Sequence, residues 1–214
     1  MLFIVSDKID EAELQCTETL LRLHGACGTE SSAVTMEWAM SELMRRPAAF
    51  DAATEELDRV VVRDRWVTEK DMPNLPYIEA IVKESMRMHP IVPLLIPRMA
   101  REDATIDGYD IPKGARVLIN VWAIGRDPEL WDAPEEFMPE RFLGSEMGVI
   151  GQDLELLPFG TGRRMCPGYN LGLKAVHLRS MYSRSKSLGA RLSLINTTHL
   201  VFVRLDLDSL YLHV

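Results

Sequence analysis

The residues most able to do chemistry are concentrated in FGTGRRMCPG, which occupies positions 159–168. Pro167 is suited to the first position of a helix, which predicts that Cys166 caps that helix. A thiol at a helix N-terminus faces unpaired backbone N–H groups and the positive end of the helix, and both favour the thiolate. Arg163 and Arg164 add positive charge beside it. The stretch therefore predicts a cysteine held as the thiolate.

The three glycines of this stretch, at positions 160, 162 and 168, let the backbone turn tightly and let a flat, bulky partner approach closely. A thiolate, a cationic side chain and a bare backbone surface together suit a metal macrocycle that carries carboxylates. For Cys166 taken alone, a buried structural thiol and a nucleophilic cysteine are open alternatives. The order of residues differs from that of cysteine phosphatase loops, because there the arginine follows the cysteine, whereas here both arginines precede it. No second cysteine or histidine lies at zinc-ligand spacing, and no Gly-Lys-Ser/Thr ends the loop as in phosphate-binding loops.

The full pattern F-x-x-G-x-R-x-C-x-G is filled by Phe159, Gly162, Arg164, Cys166 and Gly168. It resembles the haem-binding loop of the cytochrome P450 family. The resemblance implies that haem b (iron protoporphyrin IX) is the cofactor and that the Cys166 thiolate is the proximal iron ligand, whose electron donation favours O–O cleavage. It also implies that Arg164 pairs with a haem propionate and that Phe159 packs beside the thiolate.

Glu84 and Arg87 are three residues apart on a predicted helix and share a face. Such a pair, taken alone, is usually a solvated surface ion pair. The resembled family carries E-x-x-R on a helix well before its cysteine, tied to a later arginine, and here PERF supplies that arginine as Arg141. A mostly buried network of three charges is costly unless fully hydrogen-bonded. We therefore predict that these residues fix the position of the cysteine loop and have a structural role.

Arg98 matches a basic residue that resembles a second propionate partner, and an exposed arginine at a strand end is its alternative. The apolar residues before it match a substrate-lining stretch of the family, with packing in the core as the alternative; these residues are Val92, Leu94, Leu95 and Ile96.

The sequence CGTESS at positions 27–32 resembles the family motif that lies over the distal face of the haem. Glu30 followed by Ser31 is an acid next to an alcohol, which could relay protons during oxygen activation. Ser31 replaces the commoner threonine and keeps the hydroxyl, whereas Cys27 replaces a smaller alanine or glycine and could crowd oxygen. A helix start is the alternative interpretation, because serine and glutamate also belong in N-terminal caps.

The elements that must position these residues are predicted from apolar periodicity and from proline and glycine. The predicted helices cover positions 31–46, 48–61 and 77–89, and a short helix starts at Asp127. Extended runs are predicted at 94–100, 104–106 and 116–121, and a helical run follows Cys166 as far as Val176. The predicted fold class is mainly α with small β-sheets, as a partial cytochrome P450 fold comprising its C-terminal portion.

Composition restricts the function classes further. The chain has 214 residues and a formal charge of −8, which argues against nucleic acid as a partner. Three scattered cysteines predict a reducing compartment and no disulfide framework. The apolar N-terminus MLFIV is too short for a signal peptide or a membrane span.

We predict three regions. They are an N-terminal segment at 1–27 without family resemblance, a cytochrome P450 C-terminal haem-binding region at 28–176 and a divergent tail at 177–214. The first half of the family's helical bundle and its membrane anchor are expected to be absent.

The resemblance implies a haem-thiolate monooxygenase, close to plant members that hydroxylate phenolics or terpenoids. It would take two electrons from NADPH–cytochrome P450 reductase and insert one oxygen of O₂ into an apolar small molecule. By family, the location is the cytosolic face of the endoplasmic reticulum membrane; without an anchor, this chain itself is expected in the cytosol. The alternative is a catalytically inactive truncated fragment that binds haem weakly or not at all. For the chain acting alone we favour this alternative, because the distal half of the pocket is not encoded.

Overall fold

The computed structural model describes residues 30–61, 68–151 and 153–182. Across these residues the chain is helical with two small sheets, which confirms the predicted mainly α class. The α-helices are α1 at 30–45, α2 at Pro47–Val60, α3 at Pro76–Met88, α4 at Val121–Ile124 and α5 at Tyr169–Tyr182. Short 3₁₀ helices lie at Glu69–Asn74, Pro139–Phe142 and Gly162–Arg164.

Each sheet has two antiparallel strands. The strands are β1 at Arg98–Met99, β2 at Ala104–Ile106, β3 at Tyr109–Ile111 and β4 at Arg116–Val117. β1 pairs with β4, and β2 pairs with β3 as a hairpin.

Prolines set the boundaries of the first three helices. Pro47 and Pro76 occupy the first turns of α2 and α3, where the missing N–H of proline removes no intrahelical bond. Pro90 follows the end of α3 at Met88. The three predicted helices therefore agree with the structure to within one residue at each end.

α3 is the centre of the fold and separates two apolar clusters. On one side, α1, α2 and α3 pack together through buried residues that include Ala39, Leu43, Leu57, Ile78 and Ile81. On the other side, α3 packs against α5 and the loop before it through residues that include Val82, Met86, Trp131, Phe142 and Val176. Most of α3 is thus covered, which leaves Glu84, Ser85 and Arg87 buried, whereas Glu79 stays exposed.

The N-terminus of α3 is held by a carboxylate from α2. The two oxygens of Glu56 accept hydrogen bonds from the backbone N–H groups of Tyr77, at 2.9 Å, and Ile78, at 3.0 Å. These are two of the four N–H groups that a helix start leaves unpaired. The Tyr77 hydroxyl donates to Glu140 at 2.8 Å, and burial together with that carboxylate raises the pKa of Tyr77.

The short elements between α3 and Cys166 differ from the predictions. β1 and β4 are each two residues long, and β3 was not predicted. The helix predicted at Asp127 is a single turn, in which the Asp127 side chain accepts a bond from the Glu129 backbone. Ala133 takes a positive φ of 45° and Pro134 follows, so the turn cannot continue as a helix.

The predicted segment 1–27 and most of the tail 177–214 lie outside the described residues. Among the residues that are described, no helix is both long and apolar enough to cross a membrane.

Candidate functional site

Cys166 lies in the connection between the last 3₁₀ turn and α5, as a half-buried free thiol. The prediction that it caps the following helix is wrong. The backbone N–H of Gly172 donates to the carbonyl of Gly168 at 2.9 Å, so Gly168 is the residue that accepts the first bond of α5. The Cys166 backbone N–H instead donates to the Phe159 carbonyl at 2.9 Å. This bond joins the two ends of the loop and fixes the position of Cys166 relative to Phe159.

Glycine conformations shape the loop around the thiol. Gly160 and Gly162 both take φ values of +69°, which L-residues with side chains rarely adopt. A Cβ on Gly162 would meet no atom within 4 Å, so the backbone there faces open space. The loop consequently presents a bare backbone surface next to Cys166.

Gly151 supports this loop from outside, and the sequence analysis missed it. Its φ is +74°, and a Cβ there would lie 2.7 Å from the carbonyl oxygen of Gly160. The Thr161 hydroxyl donates to the Gly151 carbonyl at 2.8 Å. Only a glycine allows the two backbones to approach this closely, and no motif in the sequence pointed to it.

The two arginines predicted to bind carboxylates are placed at the loop. Arg98 is half-buried in β1, and its Nη2 donates to the Thr161 carbonyl at 3.4 Å. Arg164 is exposed in the turn just before Cys166. The structure thus brings Arg98, which is 68 residues before Cys166 in the numbering, to the same loop as Arg164.

Phe159 points toward α5. Its ring lies edge-on to Tyr169 with 6.4 Å between centroids, and its Cε1 would lie 3.7 Å from a Cβ on Gly172. It packs against the apolar cluster on the α5 side of α3. The ring therefore ties the loop to the helix that follows the cysteine.

The described part of the predicted proton relay lies at the start of α1. Glu30 is exposed and Ser31 is half-buried, with the Ser31 carbonyl accepting a bond from the Thr35 hydroxyl at 3.0 Å. The Ser32 Oγ would lie 3.9 Å from a Cβ on Gly172. The beginning of α1 is therefore adjacent to α5, the helix that follows Cys166. Cys27 and Gly28 of the same motif lie outside the described residues.

The three predicted network residues meet at α3. Arg87 contacts Glu84 at two points, Nε to Oε2 at 2.7 Å and Nη2 to Oε1 at 2.8 Å. Arg141 Nε adds a third contact to Glu84 Oε1 at 3.1 Å, and the Met138 backbone N–H donates to the same oxygen at 2.7 Å. The carboxylate is thus shared by two guanidinium groups.

Backbone carbonyls satisfy the remaining donors of both arginines. Arg87 donates to the carbonyls of Gly125, Pro134 and Glu136, and Arg141 to those of Asp132, Ala133 and Glu136. All of these carbonyls belong to the connection that leads from α4 toward the cysteine loop. The network therefore fastens that connection to α3.

The apolar stretch before Arg98 is not part of the core. Val92, Leu94 and Ile96 are exposed, Ile96 to 72%, so core packing is excluded for these three. Leu95 is half-buried at a positive φ of 48°, and its Cδ1 would lie 3.7 Å from a Cβ on Gly160. The stretch leaves apolar side chains in the open immediately beside the loop.

These groups fit a haem. In the described ranges 30–61, 68–151 and 153–182, no cluster of three or more His, Cys, Asp or Glu side chains could hold a bare metal ion. A flat apolar macrocycle with two carboxylates matches a bare glycine backbone, exposed aliphatic side chains and two arginines.

Residues 8–178 match the family model described as "Cytochrome P450". The chain belongs to the cytochrome P450 family. The matched range begins inside the segment 1–27 that was predicted to lack family resemblance, and it ends two residues beyond position 176. The predicted region boundaries themselves stay predictions.

Similar plant cytochromes P450 cover most of this chain. Trimethyltridecatetraene synthase from Zea mays is 64% identical over 156 residues, which are 71% of this chain and 28% of that protein. Iridoid oxidase from Catharanthus roseus is 52% identical over 151 residues, or 71% of this chain and 29% of that protein. The chain thus spans less than a third of the length of these two relatives.

A solved zebrafish cytochrome P450 with abiraterone has a similar structure. The TM-score is 0.70 at 38% identity, and the match covers 82% of this chain and 40% of that one. The partial cytochrome P450 fold is therefore confirmed. The P450 family implies a haem cofactor and an oxidoreductase.

Proposed function

We propose that this chain provides the haem-binding part of a P450 monooxygenase, with Cys166 as the proximal ligand of haem b. The observation that carries the proposal is the loop itself. A half-buried free thiol stands beside a glycine backbone that faces open space, and the backbone of Gly151 supports the loop from behind. No other protein ligand is required, because the macrocycle would supply four more.

The residues around Cys166 bind and orient the cofactor in this proposal. Arg98 and Arg164 pair with the two propionates, since both guanidinium groups belong to the region of the loop and bind carboxylates well. Phe159 packs on α5 and keeps the loop from tilting. Glu84, Arg87 and Arg141 act at a distance, by fixing the connection that leads to the loop.

When bound, haem supplies the activation of O₂ and the transfer of one oxygen atom to the substrate. The overall reaction takes the substrate, O₂, two electrons and two protons to the hydroxylated product and water. Glu30, exposed at the start of α1, would collect protons from solvent, and the Ser31 Oγ would pass them inward. The closeness of Ser32 to Gly172 of α5 supports a position of the start of α1 near the helix that follows Cys166.

The proposed substrate is an apolar small molecule of the terpenoid or phenolic class. The exposed aliphatic side chains of Val92, Leu94 and Ile96 support an apolar lining. Trimethyltridecatetraene, the product in the name of one relative, is an unsaturated hydrocarbon, which supports the terpenoid class. By family, NADPH–cytochrome P450 reductase is the proposed electron donor. The proposed location is the cytosolic face of the endoplasmic reticulum membrane.

The deciding experiment is the absorption spectrum of the 214-residue chain, supplied with haem, reduced and exposed to carbon monoxide. Although the sequence alone favoured an inactive fragment, the geometry of the loop leads us to expect a strongly red-shifted Soret band, the signature of a thiolate ligand. Cys166→Ala should abolish the band, and Cys166→His should retain haem without the red shift. Cys16→Ala is the matched control and should leave the band unchanged.

Two results would contradict the proposal. A red-shifted band that survives in Cys166→Ala would place the thiolate ligand elsewhere. Absence of the band in the unmodified chain would instead support the inactive fragment. If the band forms, Ser31→Ala should lower product formed per NADPH consumed about tenfold or more, whereas Ser31→Thr should retain it.

A further inference from the structure

His89 lies where α3 ends and the exposed apolar stretch begins. Its backbone N–H donates to the Ser85 carbonyl at 2.9 Å, and its side chain leaves α3 toward α1. The imidazole stacks on the indole of Trp38, with 4.0 Å between ring centroids and 6° between planes. Its Nε2 lies 3.0 Å from Oε1 of Glu42. The ring is therefore held by both a stack and a hydrogen bond.

Both partners of His89 belong to α1. Trp38 and Glu42 are four residues apart, so they present neighbouring side chains on one face of that helix. Glu42 is buried, and its second oxygen accepts a bond from Nη1 of Arg46 at 2.5 Å. The carboxylate is thus fixed from two sides and offers His89 a rigid partner.

The opposite side of the same chain segment is held by residues after β4. Nη2 of Arg126 donates to the Met88 carbonyl at 2.6 Å, and the backbone of Ile119 donates to the Leu94 carbonyl at 3.2 Å. The stretch 91–96 is consequently held on one side by α1, through His89, and on the other side by the residues around α4.

We propose that His89 is a positioning residue that sets the place of the stretch 91–96 relative to α1. α1 begins with Glu30 and Ser31, and the stretch carries Val92, Leu94 and Ile96. His89 would keep the proton relay and the apolar lining at a fixed separation without touching substrate. The inference rests on the proposed function, because only a bound substrate makes that separation matter.

The charges around His89 indicate which form of the ring does this. Glu42 and Arg46 face it from α1, Arg87 from α3, and Arg126 from the residues after α4, where Arg126 Nε lies 3.4 Å from Glu135. Burial lowers the pKa of His89, and Arg126 and Arg87 act in the same direction against the carboxylate of Glu42. Arg46 pairs with the same carboxylate, Nη1 to Oε2 at 2.5 Å. The neutral ring, with its Nε2–H donated to Glu42, is therefore the positioning form.

Hydrogen exchange on the full chain without haem tests the tether directly. The Leu95 amide donates to the Val92 carbonyl at 3.0 Å and reports on the stretch. We expect His89→Ala to speed its exchange about fivefold to tenfold, the loss of one hydrogen bond with its packing, while His89→Gln, which keeps a donor for Glu42, has a smaller effect. Lys113→Ala is the surface control. Equal acceleration of the α2 amides would mean general loss of stability and would overturn the proposal.

Ligand binding to the haem-loaded chain tests the consequence. Limonene, followed by its Soret shift, should bind His89→Ala about fivefold more weakly than the unmodified chain. Its affinity for the unmodified chain should fall as the pH is lowered from 7.5 to 5.5, and His89→Gln should remove this dependence. Unchanged exchange and affinity in His89→Ala, with a normal thiolate spectrum, would overturn the role of His89 alone. Absence of the thiolate band in the unmodified chain would overturn the proposed function. The hydrogen-exchange test of His89 would still be valid in that case, because it is made without haem.

Discussion

Arg87 lies over Glu84 with Nε 2.7 Å from Oε2 and Nη2 2.8 Å from Oε1, and neither side chain is accessible to solvent. Removing two charges from water costs several kcal/mol for each ion, and only complete hydrogen bonding offsets that cost. Here Arg141 and the Met138 backbone complete the partners of the carboxylate. The pair is thus part of the interior and behaves unlike an ion pair on the surface.

Replacing Glu84 by glutamine should strongly destabilise the fold. The substitution keeps the shape but leaves the Arg87 charge buried without a counter-charge, so we expect a loss of about 3–5 kcal/mol in the free energy of unfolding. Urea unfolding followed by far-UV circular dichroism measures it. Glu69→Gln is the control, because Glu69 pairs with Lys174 at 3.0 Å on the surface and should cost less than about 1 kcal/mol. Equal losses in the two variants would contradict this account.

Alanine at Gly151 should displace the cysteine loop. Its Cβ would lie 2.7 Å from the Gly160 carbonyl oxygen, in addition to the strain of a φ of +74°. Gly144 has a similar φ of +72° and nothing within 4 Å of its Cβ position, so Gly144→Ala isolates the strain. We expect Gly151→Ala to be about 1–3 kcal/mol less stable than Gly144→Ala in urea and to take up less haem. Matching stabilities would show that the contact with the loop is unimportant.

Two further glycines should respond in opposite directions to alanine. A Cβ on Gly125 would lie 2.6 Å from the Arg87 carbonyl oxygen, whereas a Cβ on Gly172 in α5 would make ordinary contacts at 3.7–4.0 Å. Gly125→Ala should therefore destabilise the chain by about 1–3 kcal/mol. Gly172→Ala should stabilise it by about 0.5–1 kcal/mol, because alanine loses less backbone entropy in a helix. Thermal unfolding of both variants decides, and a stable Gly125→Ala would be the contrary result.

Stability should fall in mild acid because of two partly buried histidines. Burial lowers the pKa of His89 and of His177 from the ordinary value of 6.5, and the His177 ring is held by the Leu173 carbonyl at 2.7 Å. The unfolded chain then binds protons that the folded chain does not, so stability is complete above about pH 6.5 and decreases as the pH falls below it. Urea midpoints at pH 8 and pH 5.5 measure the loss, and it should be smaller in His89→Gln. An unchanged loss in that variant would exclude His89 as a source.

The three long helices could be predicted from the sequence because local signals agree there. Pro47 and Pro90 mark boundaries, and the stripe of Ile78, Ile81 and Val82 faces a real core. The hairpin strand Tyr109–Ile111 escaped prediction because it is only three residues long. Its alternation of Tyr, Asp and Ile is too short to be distinguished from a turn by periodicity.

The loop motif predicted which residues surround Cys166 but could not give their geometry. The cap of α5 lies at Gly168, two residues later than predicted, and the Cys166 N–H bonds to the Phe159 carbonyl, a contact between two parts of the loop that the motif does not specify. Gly151 escaped notice because its need for glycine comes from Gly160, and such a need exists only between two segments in space. Local sequence cannot register a constraint of that kind.

The shared carboxylate of Glu84 is also synthesised well before the residues that complete its hydrogen bonds. Its partners Met138 and Arg141 follow it by 54 and 57 residues. At about 5–20 residues per second, the ribosome makes α3 roughly 3–11 s before those partners exist. During that interval the helix carries an acid and an arginine that cannot yet be buried with all their bonds. α3 is therefore made early and completed late, and the nascent chain must keep its central helix accessible to water until the residues that enclose it emerge.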